Sequence, residues 1–140
     1  MTEDVKYKDY LDVYKKLLKL LREKAKSSDY SSCFEIANHM TEICVFDFEW
    51  KEGVFISEFF EYLYSNLREL AAEYEIEKDV AENISKIVTE IIDEIMKTLP
   101  KINIEKIYPL MVDARYIVTR SQWISWKLKR KKRRLWEEEM

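Results

Sequence analysis

The sequence predicts an all-α protein, a bundle of four or five helices that ends in a projecting basic helix. Apolar residues recur at helical spacing along most of the chain, and no stretch shows the strict alternation of a half-buried strand. The chain has only one glycine and two prolines to interrupt its helices. Helices joined by short loops bury their apolar stripes against one another, which favours a bundle. A chain of 140 residues is long enough to form one domain with its own core.

Two helices are predicted before residue 45. Between residues 4 and 26, apolar residues recur at steps of three, four and seven, as on one face of an amphipathic helix. The polar segment KSSDYSS then ends this helix. Ser32 and Glu35 have the spacing of a capping box, in which each side chain satisfies a free amide of the first turn, so a second helix is expected to start there. Its apolar stripe consists of Cys33, Ala37, Met40 and Cys44.

The two cysteines of this stripe are expected to be free thiols. Cys33 and Cys44 share a helix face but are separated by roughly 16 Å along the helix axis. This separation is too large for a disulfide between them. Buried thiols are the expected state, and a disulfide between two chains is the alternative.

Glycine and proline mark the remaining helix boundaries. Gly53 is interpreted as the turn or kink that leads into a third helix, over about residues 54–74. A fourth helix is predicted over about residues 79–98, and Pro100 ends it. Pro109 is expected to open the last helix at its first position, where the missing amide hydrogen has no partner to lose.

No residue pattern predicts catalysis, a metal site or a cofactor. Glu35, His39 and Glu42 share a helix face, but His39 is the only histidine, and a carboxylate-bridged metal site in a helical bundle needs a second one. These residues are interpreted as surface pairs at helical spacing. A single glycine also excludes a glycine-rich phosphate loop. We therefore expect a non-enzymatic protein.

The charges are distributed unevenly along the chain. The formal net charge of −3 combines −8 over residues 1–108 with +5 over residues 109–140. Seven of the eight residues from Lys127 to Arg134 are basic. An acidic body joined to a basic helix indicates an anionic partner, such as a nucleic acid or an acidic protein surface, at the basic end. We therefore separate a helical bundle, residues 1–125, from a charged C-terminal arm, residues 126–140.

Two stripes are predicted on the last helix. The core-facing stripe is predicted to contain Leu110, Ala114, Ile117, Ser121, Ile124, Leu128 and Leu135. On a second stripe, aromatic side chains lead into basic ones, a combination that suits stacking on bases and neutralising phosphates. The predicted contact residues on this helix are Tyr116, Trp123, Trp126, Lys127, Lys129, Arg130, Lys131, Lys132, Arg133 and Arg134. The alternative is that this stripe is not a contact surface. In that case Tyr116 and Trp123 widen the buried side of the helix, and Glu137 and Glu138 balance the charge of a basic run that only faces solvent.

The sequence does not favour a membrane location. No apolar run approaches the ~20 residues that a spanning helix needs, and the N-terminal segment is charged. A helix lying on a membrane surface would need a continuous apolar face, which the basic arm lacks. A cytoplasmic protein is expected.

The composition is poor in Gly, Gln and His and rich in Lys, Glu, Ile and Tyr, as in proteins from very hot environments. Together with the helical-bundle architecture and the ending WKLKRKKRRLWEEEM, it resembles the small helical-bundle proteins of viruses that infect hyperthermophilic archaea. This resemblance implies either DNA binding, as in coat proteins, or transcription regulation by inhibition of the host RNA polymerase in the host cytoplasm.

The sequence is compatible with three functions. The first is binding to nucleic acid, or to a nucleic-acid-processing machine, through the basic aromatic helix. The second is inhibition of a protein such as RNA polymerase by an acidic body that imitates nucleic acid, with carboxylates at Glu58, Glu61, Glu69, Glu73 and Glu75. The third is self-assembly, in which the basic arm binds the acidic body of another copy and Trp126 and Trp136 act as apolar anchors.

Overall fold

A computed structural model describes the backbone of residues 2–47 and 49–139 and the side chains of residues 8–47 and 49–131. Throughout these ranges the regular secondary structure is helical, which confirms the predicted all-α class. The elements are α1 (Thr2–Lys26), α2 (Tyr30–Glu42), a π-helix (Ile43–Asp47), α3 (Lys51–Glu73), α4 (Lys78–Thr98) and α5 (Ile104–Glu139).

The five α-helices pack in a ring around one core. α1 contacts α2 and α4, α2 contacts α3, and α5 contacts both α3 and α4. The order around the ring is therefore α1, α2, α3, α5, α4. Since α5 is held on both flanks, its remaining side faces outward over the length of the bundle.

Large apolar side chains from every helix fill the core. α1 contributes Tyr14, whose ring makes an edge-to-face contact with Trp50 at a centroid distance of 5.0 Å. The Tyr14 hydroxyl lies 2.9 Å from Ser57 Oγ on α3, so two buried polar groups satisfy each other. Burial raises the pKa of Tyr14 well above its ordinary value, and the hydroxyl therefore stays protonated. The other large buried side chains include Leu18, Leu21, Met40, Ile56, Phe60, Leu63, Tyr64, Leu67, Ile84, Ile91 and Ile92.

The start of α2 differs from the prediction. Asp29, not Ser32, is the N-cap residue: its carboxylate accepts hydrogen bonds from the Ser32 amide at 3.2 Å and from the Ser32 hydroxyl at 2.7 Å. These two bonds lower the pKa of the Asp29 carboxyl group. The proposed capping box of Ser32 and Glu35 is therefore wrong. A carboxylate three residues earlier is the stronger acceptor for the free amides of the first turn.

Gly53 also has a different role from the predicted turn. It is buried in the first turn of α3, which already begins at Lys51. A Cβ atom at this position would lie 2.7 Å from Cδ2 of Trp50 and 2.8 Å from the Cys44 sulfur. Glycine is therefore required for close packing of α3 against Trp50 and Cys44, not for a special backbone angle.

The last helix begins earlier than predicted. α5 starts at Ile104, and Pro109 lies inside it. The amides of Lys106 and Ile107 donate to the Asn103 carbonyl at 3.2 and 3.3 Å, so the first turn is formed before the proline. Burial of Ile107 against the core stabilises this turn.

Both cysteines are free and fully buried, as predicted. Burial raises the pKa of Cys33 to about 12 and that of Cys44 to about 11, so both remain protonated thiols. A disulfide to another chain would require the helix bundle to open locally, because neither sulfur reaches the surface.

Candidate nucleic-acid interface

The buried side of α5 overlaps the predicted stripe only in part: Ala114 and Ser121 are buried, and Leu110 and Ile117 are partly buried against the core. Ile124 and Leu128, which were assigned to the core, are 39% and 45% exposed. The true stripe is rotated by roughly 60° around the helix. Small Ser121 and Ser125 occupy it, and Ser121 Oγ donates to the Ile117 carbonyl at 2.9 Å. In the part of α5 whose side chains are described, which does not include Leu135 of the predicted stripe, the buried residues are Ile107, Met111, Ala114, Val118, Ser121 and Ser125.

The outer face of α5, which is the side that points away from the core, carries a row of exposed aromatic residues. The exposed fractions are 55% for Tyr108, 65% for Tyr116, 56% for Trp123 and 48% for Trp126. The alternative in which Tyr116 and Trp123 widen the buried side is therefore wrong. These side chains point away from the core because α3 and α4 occupy the flanks of α5, and no other described helix contacts α5.

Two of these aromatic residues form a stacked pair. The rings of Trp123 and Trp126 have centroids 5.2 Å apart and an interplanar angle of 15°. Lys127 Nζ lies 5.5 Å from the Trp123 centroid, and the Arg130 guanidinium lies 5.3 Å from that of Trp126. Each indole thus holds a cation over its face, an arrangement favoured by the ring quadrupole. The result is a compact surface of two flat rings and two positive charges.

Positive charge dominates this part of the helix. Residues 114–131 contain six basic residues and no acidic one. This carboxylate-free segment extends over ~27 Å of helix. All six basic residues are exposed, and they are Arg115, Arg120, Lys127, Lys129, Arg130 and Lys131.

Lys129 belongs to the flank of α5, not to its outer face. Its ammonium group forms a salt bridge and hydrogen bond with Glu73 at the end of α3. Two turns earlier, Gln122 donates to the Asn66 side chain on α3 at 2.8 Å. Lys129 therefore helps to hold α5 against the bundle. Among the predicted contact residues whose side chains are described, it is the one that forms a salt bridge.

Part of the predicted site lies outside the described side chains. The α5 backbone continues through Lys132, Arg133, Arg134 and Trp136 as far as Glu139. The positions of these four side chains are not described. Ser125 is the last buried residue of α5 in the described part, and Lys129 makes the last described contact with another helix.

The acidic residues predicted to imitate nucleic acid do not lie on one surface. Glu58, Glu69 and Glu73 line the seam between α3 and α5. Glu61 is on the side of α3 that faces α2, where it accepts a hydrogen bond from Thr41 at 3.0 Å. Glu75 follows the end of α3. The carboxylates are thus divided between two helix contacts and a loop.

An open groove adjoins the outer face of α5 and was not predicted. It has a volume of about 440 Å³ and lies between α3 and α5. Arg115 enters it over the ring of Tyr62, at 5.3 Å from the centroid. The helical spacing of Tyr108, Val112 and Arg115 could have indicated the α5 wall, but only packing shows which helix supplies the other. The lining residues are Phe55, Glu58, Phe59, Tyr62, Tyr108, Met111, Val112 and Arg115.

The single histidine lies on an exposed surface next to a glutamate of the same helix. His39 Nδ1 lies 3.9 Å from a Glu42 carboxylate oxygen, and both side chains are more than half exposed. Among the described residues, no cluster of three or more His, Cys, Asp or Glu side chains is arranged to hold a metal ion.

None of the described helices is both long and apolar enough to cross a membrane.

No protein-family model matches the chain, and no curated protein or solved structure is significantly similar to it.

Proposed function

We propose that the protein binds nucleic acid, alone or within a nucleic-acid-processing complex, through the outer face of α5. The observation that carries this proposal is the exposed stack of Trp123 and Trp126, with Lys127 and Arg130 over the rings. Indole faces stack on bases, and lysine and arginine neutralise phosphates and release counterions. The absence of acidic residues from 114 to 131 leaves this segment free of repulsion from carboxylates of its own.

Because the whole chain is acidic, the basic surface of α5 is the part that suits a polyanion. A protein with a net charge of −3 repels a polyanion at long range, so binding requires a local basic surface. In the described part of the chain, α5 has the densest group of basic residues, and its own exposed aromatic residues lie among them. Base stacking and phosphate contacts can therefore occur on the same helix face.

Fluorescence anisotropy with labelled DNA and RNA oligonucleotides, at several salt concentrations, tests the proposal. Affinity is expected to fall steeply with salt. In the double variant Lys127→Gln/Arg130→Gln, the slope of log K against log salt is expected to decrease by about 1.4–1.8, because two phosphate contacts are lost. The matched control is Lys16→Gln/Lys19→Gln, which removes two exposed charges from α1.

Two results would refute nucleic-acid binding by α5. One is negligible affinity for every oligonucleotide at low salt. The other is an equal change of slope in the α1 and α5 variants, which would show that only net charge matters.

A second candidate function is self-assembly. α5 has 36 residues and α3 has 23, and α5 continues past its last described contact, at Lys129, to Glu139. This C-terminal part of α5, residues 130–139, is rich in basic residues, whereas residues 1–108 carry −8. Binding of the basic segment to the acidic body of another copy would be a heterologous contact, which closes into a ring or continues as a filament.

A further inference from the structure

We propose that the groove between α3 and α5 accepts an unpaired base, so that the ligand of this protein is a single-stranded nucleic acid. This inference rests on the proposed function and specifies its ligand. It assigns a role to a cavity that the stacked tryptophans do not explain.

The groove has the walls of a base-binding site. Tyr62 and Phe55 on α3 face Tyr108 and Val112 on α5, and all four side chains are exposed. Met111 is almost fully buried at the same groove and belongs to its apolar lining. Aromatic rings on both sides of a cleft suit a flat heterocycle, which can stack against either wall. The volume of about 440 Å³ lies within the range of small-ligand pockets.

Two charged groups supply the groove with a hydrogen-bond donor and a hydrogen-bond acceptor. Arg115 donates only, and its guanidinium is held over the Tyr62 ring. The Glu58 carboxylate lines the same groove and accepts only. The edge of an unpaired base presents donors and acceptors together, whereas an alkyl chain presents neither. The chemistry of the lining therefore favours a nucleobase over a lipid tail.

The groove is continuous with the aromatic and basic face of α5. From Arg130 the helix passes Trp126, Trp123 and Tyr116 before it reaches Tyr108 in the groove. This path is ~33 Å long, which suits a strand of several nucleotides. In a duplex the base faces are stacked inside the helix and cannot reach an indole or enter a cleft. A single strand can place one base on the tryptophans and another in the groove while its phosphates contact the cations.

The test compares a labelled single strand with a duplex of the same length and sequence, using the full chain at low salt. The single strand is expected to bind at least about tenfold more tightly. Tyr62→Ala and Tyr108→Ala are each expected to weaken single-strand binding by about 5- to 150-fold, the range for loss of one base stack. Tyr62→Phe and Tyr108→Phe retain the rings and are expected to retain the affinity. Phe46→Ala is the control, since it removes an exposed aromatic ring from the π-helix, outside the groove.

A second readout places the strand directly. Ultraviolet cross-linking of an oligonucleotide that contains bromouracil, followed by mass spectrometry of the peptides, is expected to label Tyr62 or Tyr108. Equal affinity for the duplex, or alanine variants at both tyrosines that bind like Phe46→Ala, would overturn the single-strand inference while α5 binding stands. If Lys127→Gln/Arg130→Gln has no specific effect, or no oligonucleotide binds, the proposed function fails and this inference fails with it.

Discussion

The indole rings of Trp123 and Trp126 stack on the solvent side of α5, with their planes 15° apart. Residues three apart on a helix are neighbours, so the stack needs no support from another helix. Two exposed tryptophans cover little of each other compared with burial in a core. A folded protein gains little stability from this arrangement, which leaves both side chains accessible from solvent.

Trp123→Ala is therefore expected to weaken nucleic-acid binding by about 5- to 150-fold through loss of one stacking surface. Its effect on the free energy of unfolding should be below about 1 kcal/mol, because the side chain is exposed. Anisotropy measures the first quantity and urea unfolding the second. Ile124→Ala, at the next and partly exposed position of α5, is the control. Equal losses of affinity in the two variants would argue against stacking by Trp123.

A chain that ends at Ser125 is expected to remain folded, because Ser125 is the last buried residue of α5 in the described part of the chain. If residues 126–140 mediate self-assembly, the full chain sediments as more than a monomer in low salt and the shortened chain as a monomer. Light scattering on both proteins measures their masses. Equal masses would show that residues 126–140 have no role in assembly. A loss of helical circular dichroism greater than the removal of helical residues 126–139 explains would show that the end of α5 is part of the core.

Gly53→Ala is expected to destabilise the fold by about 1–3 kcal/mol, because the new methyl group would overlap Trp50 and the Cys44 sulfur. The sign of the change in unfolding free energy is informative, because alanine is normally more favourable than glycine inside a helix by about 1 kcal/mol. Thermal and urea unfolding measure the change. Lys51→Ala, at an exposed position of the same turn, is the control. A more stable Gly53→Ala protein would contradict the close packing of α3 against Trp50.

The hydrogen bond between Tyr14 and Ser57 is expected to couple α1 to α3. Tyr14→Phe leaves the buried Ser57 hydroxyl without this partner and should cost about 1–3 kcal/mol of the free energy of unfolding. In a double-mutant cycle with Ser57→Ala, the second substitution should add little to the first, with a coupling energy of about 1 kcal/mol. Additive effects would show that the two hydroxyl groups act independently.

Glu94 is expected to contribute to the decrease in unfolding free energy at acidic pH. Hydrogen bonds from Lys97 and from Lys106 on α5, both at 3.2 Å, hold its pKa below the ordinary value of 4.5. Because the folded-state pKa is the lower one, the stabilisation is present above pH 4.5 and is lost as the pH falls through the folded-state value. Glu94→Gln should flatten the dependence of unfolding free energy on pH in this range. Glu90→Gln, an exposed position of the same helix, should change it less.

Local patterns determined much of the fold. Helical spacing of apolar residues placed α1, α3 and α4 close to their observed bounds, and Pro100 follows the end of α4. The charge asymmetry and the aromatic residues of the last helix are also visible in the chain alone. These features depend on residues within a few turns of one another, for which a sequence pattern is sufficient.

Tertiary packing determined the roles that depend on distant residues. Gly53 looked like a turn residue because nothing in its neighbourhood shows that Trp50 and Cys44 approach it. The core stripe of α5 was only partly correct, because two flanking helices, not local hydropathy alone, set its rotation. Ala114 and Ser121 are buried as predicted, but Ser125 is buried where Ile124 was expected, and Ile124 is partly exposed.

The candidate site shows the same division. The sequence alone places Trp123, Lys127 and Arg130 on one helix face, since helix geometry fixes their relation. This face points outward because α5 lies between α3 and α4. The groove depends on tertiary structure entirely: Tyr62 and Tyr108 are 46 positions apart in the chain, and only the packing of α3 against α5 makes them two walls of one cleft.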